Sequence, residues 1–150
     1  MMLCDHAAVA EGKLYVSGGG WSLMGPAPSP SAIALLIDVP WDQTNHKVVF
    51  NLSLHGADGD PVIQPGPMGE EMPIQVGGEF EVGRPPGLAP GTPIGVPLAI
   101  NIPPLLLAPG QRFSWDLTID GTSQDDWHLA FSTRGIPAPL SSPTNLPPPG

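Results

Sequence analysis

Positive charge is scarce in this chain of 150 residues: five Lys and Arg stand against fourteen Asp and Glu, a formal net charge of −9. Lys13, Lys47, Arg84, Arg112 and Arg134 are scattered and form no local patch. Nucleic acid and anionic membrane surfaces repel such a chain, so neither is expected as a partner. Cysteine is nearly missing. Cys4 stands alone, which forbids an intrachain disulfide and favours a reducing compartment. Long apolar runs are missing too: Ala32–Val39 and Val96–Ala108 are short and bounded or broken by proline, too short to span a bilayer. Met1–Asp5 has no basic segment ahead of an apolar one, so no secretory leader is read there, and a cytoplasmic location is expected. No stretch of a dozen residues carries a helical stripe.

Period two is present instead. Phe113, Trp115, Leu117 and Ile119 alternate with Ser114, Asp116, Thr118 and Asp120, the pattern of a strand buried on one face. Trp127, Leu129 and Phe131 repeat it after a polar break, which predicts a hairpin. Pro109-Gly110 fits the middle of a turn, since proline fixes one φ and glycine accepts a positive one. Leu3–Ala10 and Leu14–Ser17 flank Glu11-Gly12 as another hairpin. Ala32–Val39 is apolar at both parities, which predicts a central strand covered on both faces. Val48, Phe50, Leu52 and Leu54 define a strand, and Asp58-Gly59 a turn after it. Ile74, Val76, Phe80 and Val82 are read as one series with a β-bulge at Gly77-Gly78. Val96–Ile102 is a strand whose Pro97 places it at a sheet edge.

The expected fold is all-β: one antiparallel sandwich of about seven to nine strands, immunoglobulin-like or jelly-roll-like, with very little helix. Its 22 prolines and 19 glycines fall mostly between the apolar runs, where loops belong. A domain over residues 1–134 and a proline-rich tail over 135–150 are expected. Gly83–Pro97 reads as an extended crossover between sheets.

Chemistry finds little support. Gly18-Gly19-Gly20 lacks the following helix and lysine of a phosphate loop. Glu79 and Glu81 share a strand face about 7 Å apart, a spacing open to glycosidase chemistry yet common to any charged strand. Asp120, Asp125 and Asp126 crowd one loop and Asp58 and Asp60 another, but calcium needs six to eight oxygens, and solvated turns explain both. His6, His46, His55 and His128 are dispersed, so no metal or other cofactor and no catalytic residue is assigned.

Three function classes follow. The first is a non-enzymatic interaction or assembly module, with protein partners that include a second copy of the chain. Its contact residues are Arg84, Pro85, Pro86 and Leu88 in the crossover and Ile136, Leu140 and Leu146 in the tail. The second is a small-molecule or glycan-binding module using Trp21, Trp41 and Asp42, since sugars stack on aromatic faces. A hydrolase using the paired carboxylates is the third and weakest.

Leu3-Cys-Asp-His-Ala-Ala-Val-Ala-Glu-Gly-Lys-Leu-Tyr-Val-Ser-Gly-Gly-Gly-Trp21, with Val39-Pro-Trp41, Gly78-Glu-Phe-Glu-Val-Gly-Arg-Pro-Pro-Gly-Leu88 and the terminal hairpin, resembles a domain of unknown function found in bacterial, especially actinobacterial, proteins. The resemblance covers roughly residues 2–134 and leaves the tail outside. It implies no activity and no catalytic residue.

Overall fold

The computed structural model describes residues 1–140. Eleven strands fold as a sandwich: β1 (Met2–Ala10), β2 (Lys13–Gly19), β3 (Leu23–Met24), β4 (Ser31–Val39), β5 (Lys47–Gly56), β6 (Ile63–Pro65), β7 (Glu71–Pro73), β8 (Gln75–Glu81), β9 (Ile94–Ile102), β10 (Arg112–Ile119) and β11 (His128–Thr133). Three of them, β3, β6 and β7, have two or three residues; the other eight are the strands that the alternation marks. A 3-10 turn at Trp41–Gln43 is the only helical element among the described residues.

Sheet one runs β2-β1-β4-β9 and sheet two runs β3-β11-β10-β5-β8, with β6-β7 a small separate hairpin. Pairing is antiparallel except between β3 and β11. The two inner faces meet in one core. Leu3, Ile33, Leu35 and Ile102 from sheet one pack against Phe50, Leu52, Leu54, Phe113, Trp115, Leu117 and Phe131 from sheet two, with Ile74 joining from the β7–β8 link. Phe113 stacks on Phe131 at 5.6 Å, and Phe50 tilts against Phe80 at 6.4 Å.

β4 is central, as its double-sided hydrophobicity predicts, and β9 is the edge that Pro97 marks. The bulge expected at Gly77-Gly78 is not formed. β8 pairs with β5 in unbroken register, Glu81 to Lys47 through Gln75 to Ser53. Positions 74, 76, 78, 80 and 82 share one parity, so Gly78 simply occupies an inward site. A Cβ there would stand 3.0 Å from the ring of Phe50, which fills the space instead.

Sheet one has a third layer. The β1–β2 register skips the Asp5–Gly18 pair, and Gly18 adopts φ 59°, where a side chain would collide with Asp5. Beyond this bend the hairpin arm folds over the outer side of β4. Asn101 on β9 donates to the Ala7 carbonyl at 3.0 Å and accepts from the Ala7 amide at 3.5 Å, although β4 lies between β1 and β9 in the sheet. Ala7 thereby joins Cys4, Ala32 and Ala34 in a small buried cluster flanked by Leu14 and Ala99. Only small side chains leave room for the arm.

Candidate functional site

The ends of the sandwich differ. At the Gly56 end of β5, the loops before β4 and after β9 come together: Met24–Pro28, Leu105–Leu107, Pro109 and Thr133 line a hollow of about 100 Å³. Thr133 pins it, its hydroxyl donating to the Ala108 carbonyl at 2.6 Å and accepting the Gln111 amide at 3.1 Å. The Arg134 amide donates to Met24, and the Gly110 amide to Arg134. Residues 135–140 leave the body from this point. Leu106, Ile136 and Leu140 are 91%, 75% and 97% exposed. Leu146 lies outside the described residues. Trp21 also belongs to this end, edge-on to Phe131 at 6.2 Å, with its indole N–H buried and unpartnered among the described residues.

At the Lys47 end, the crossover is latched to the body. Arg84 stacks its guanidinium 4.2 Å from the Trp41 ring and donates to the Trp41 carbonyl at 2.7 Å and the Thr44 hydroxyl at 3.0 Å. Pro85 and Pro86 are exposed and Leu88 is half-buried. Asp42 sits beside Trp41 in the 3-10 turn. Trp21 and Trp41 therefore stand at opposite ends of the ten-residue β5, roughly 30 Å of strand apart, and do not face one sugar together. Arg84, Pro85, Pro86 and Leu88 are likewise separated from Ile136 and Leu140 by the length of the sandwich.

The same end carries a cleft of about 520 Å³ that no pattern in the chain announces. β1 pairs with β4 only through Met2–Ala34, Leu3–Ile33 and Cys4–Ala32, so the last residues of β4 outrun it. The cleft is lined on one side by Met1 and Leu35–Pro40, and on the other by Val48, Leu117, Ile119 and Trp127. Asp38, Asp120 and Asp126 rim it with Gln43 and Gln124. Asp120 is held in a left-handed conformation, φ 49°, and exchanges two bonds with Val49: its carboxylate accepts the Val49 amide at 2.9 Å, and its own amide donates to the Val49 carbonyl at 2.8 Å. This clamp fixes the β10–β11 loop as the cleft's outer wall.

Further polar groups lie on the wet face of sheet two and in its turns. His55 Nδ1 meets Asp116 Oδ2 at 2.5 Å, and Ser114 donates to the other Asp116 oxygen at 3.0 Å. Glu79 pairs with Lys47 at 3.1 Å, both exposed, and Asp58 accepts the Asp60 amide at 3.1 Å within its own turn. Among the described residues, no three His, Cys, Asp or Glu side chains gather as a metal ion requires. Cys4 is buried and donates its S–H to the Ala32 carbonyl at 3.5 Å. Burial, with Asp5 adjacent, pushes its thiol above the ordinary pKa.

A family of unknown function (DUF6941) matches residues 1–132. The chain belongs to this family. The match runs from the first strand to the penultimate residue of β11, so it takes in the latch and the cleft and leaves out residues 133–150. No curated protein and no solved structure matches the chain. No helix is long and apolar enough to cross a membrane among the described residues.

Proposed function

We propose that the chain is a non-enzymatic protein-interaction module of the bacterial cytoplasm that assembles with copies of itself. One observation carries this reading: the proline-rich end leaves Leu106, Ile136 and Leu140 exposed to water, with Leu106 on the rim of a hollow. Apolar side chains left in water beside a hollow are groups that a partner can bury. The second contact element, the crossover at Arg84–Leu88, lies at the opposite end of the sandwich. Two different patches at opposite ends favour head-to-tail contacts, which close into rings or continue as filaments.

Light scattering after size exclusion tests this on untagged protein at about 100 μM. The expected result is a mass well above 15.6 kDa that returns to the monomer value in Leu106→Asp and on removal of residues 135–150. A monomer for the unaltered chain at that concentration overturns the proposal.

A further inference from the structure

The edges of the two sheets are guarded unequally. β9 carries Pro97, which has no N–H to offer; β8 carries Glu79 and Glu81 beside Gly77 and Gly78; β3 has two residues. Proline, charge and brevity are the usual defences of an unpaired strand. β2, the other edge of sheet one, has no proline, and its one charge, Lys13, stands beside the turn. Tyr15 and Val16 favour strands and are both exposed. Among the described residues nothing pairs with the outer side of β2. The hairpin turn fixes which groups face that side. Glu11 and Gly12 are both left-handed, φ 51° and 70°, a two-residue turn that closes on the Ala10–Lys13 pair. Bonded and non-bonded pairs alternate from there. Lys13, Tyr15 and Ser17 therefore bond to β1, while the amides and carbonyls of Leu14 and Val16 point away from it. Ala7, opposite Val16, obeys the same rule, for its groups directed away from β2 are those that Asn101 binds.

We propose that two copies of the chain pair through this edge, β2 antiparallel to β2 about a two-fold axis at Tyr15. In that register Leu14 of each copy exchanges an amide–carbonyl pair with Val16 of the other, so every outward group is used. A shift by two residues either way opposes Leu14 to the left-handed Gly18, or Val16 to the left-handed Gly12. The register also suits the charge. Copies of net charge −9 repel one another, yet no carboxylate lies between Lys13 and Ser17. Tyr15 meets Tyr15, and Lys13 meets Ser17, with the Tyr15 ring of the other copy diagonal to it. A contact of identical edges closes on itself and needs no second surface. It is separate from the proline-rich end and does not rest on the head-to-tail reading. An edge from Lys13 to Ser17 is small against a stable interface, so alone it binds weakly. Where other contacts align many copies, the same edges act together.

Disulfide trapping tests the register, in full-length protein carrying Leu106→Asp so that the proline-rich contact is disabled. Tyr15→Cys faces itself across the axis at a Cα separation of about 4.5 Å, within reach of a disulfide. Under air oxidation it should form covalent dimers at least tenfold faster than Ala130→Cys, which is exposed on the outer face of sheet two. Cys4 is buried and serves as the silent background. Lys13→Cys and Ser17→Cys should link when mixed and not when each is alone. Two changes should each slow that mixed linking at least tenfold. Tyr15→Lys sets like charges against each other on the axis, and Val16→Pro removes an outward donor without touching a bond to β1. The proposal is overturned if Tyr15→Cys links no faster than Ala130→Cys, if Lys13→Cys alone links as fast as the mixture, or if either substitution leaves linking unchanged. An oligomer of undiminished mass in Leu106→Asp would sink the head-to-tail reading instead, since the linking pattern alone decides this one.

Discussion

Sheet two leaves its outer face to water, with His55, Asp116, Ser114, Ser53 and Asn51 along it, whereas sheet one covers its outer face with its own first hairpin. The residues follow from that difference. Strands of sheet two alternate apolar and polar, while β4 buries Ser31 through Leu35 without a break. On the covered face the space between layers is set by Cys4, Ala7, Ala32 and Ala34, so the arm approaches at little more than backbone distance. One sandwich therefore contains two kinds of outer surface, one governed by hydration and the other by packing.

The largest effect is expected where the sheets share a core. Trp115 is 2% exposed and reaches both layers. Trp115→Ala should cost about 3–5 kcal/mol, read from the urea midpoint, because the cavity spans the interface. A loss under about 1 kcal/mol would mean that the sheets do not depend on one another.

The same substitution on the two outer faces sharpens the contrast. Ala34→Leu has no space beneath the arm and should destabilise by about 1–3 kcal/mol. Ala130→Leu, exposed on sheet two opposite Ser114, should stay within about 0.5 kcal/mol of zero. Equal effects would remove the distinction between the faces.

Asn101→Ala should be smaller, about 1 kcal/mol, from the loss of its two bonds to Ala7. Its signature is local. The Ala7 amide should exchange faster, and Cys4 should react faster with a disulfide reagent at pH 8, because the arm that shields the thiol is freed. In the unaltered protein that reaction should be slow, since burial both blocks access and raises the thiol pKa.

Much of this architecture is legible in the chain, and the boundary has a physical cause. Strand identity is local, so Phe113–Ile119, Val48–Leu54 and the edge position of Val96–Ile102 can be read from alternation and proline alone. Gly78 shows where such reading slips: an inward glycine mimics a change of phase, and only the Phe50 ring across the pair shows that the series continues. The hairpin arm has a signal, the alanines of β4 and Gly18, but its meaning depends on Asn101, 94 residues from Ala7. The cleft has no local signal. It arises from the offset between β1 and β4, a relation between two strands that neither sequence contains.

The two ends differ as the two faces do, and Arg84 gives the finest measure of it. Its sequence position, beside a proline pair in an acidic chain, marks it as a contact residue for a partner. The structure has it occupied within the chain, stacked on Trp41 and forked onto Trp41 and Thr44. Among the described residues the proline-rich end has no such latch on Ile136 or Leu140. Arg84→Lys keeps the charge but loses the planar fork and most of the stacking, so it should cost about 0.5–1 kcal/mol. The readout is confined to this end: faster exchange at Asn45, whose amide donates to the Val82 carbonyl at the base of the crossover, with exchange at Arg134 unchanged. If lysine protected Asn45 as well as arginine does, the latch would be a matter of charge alone.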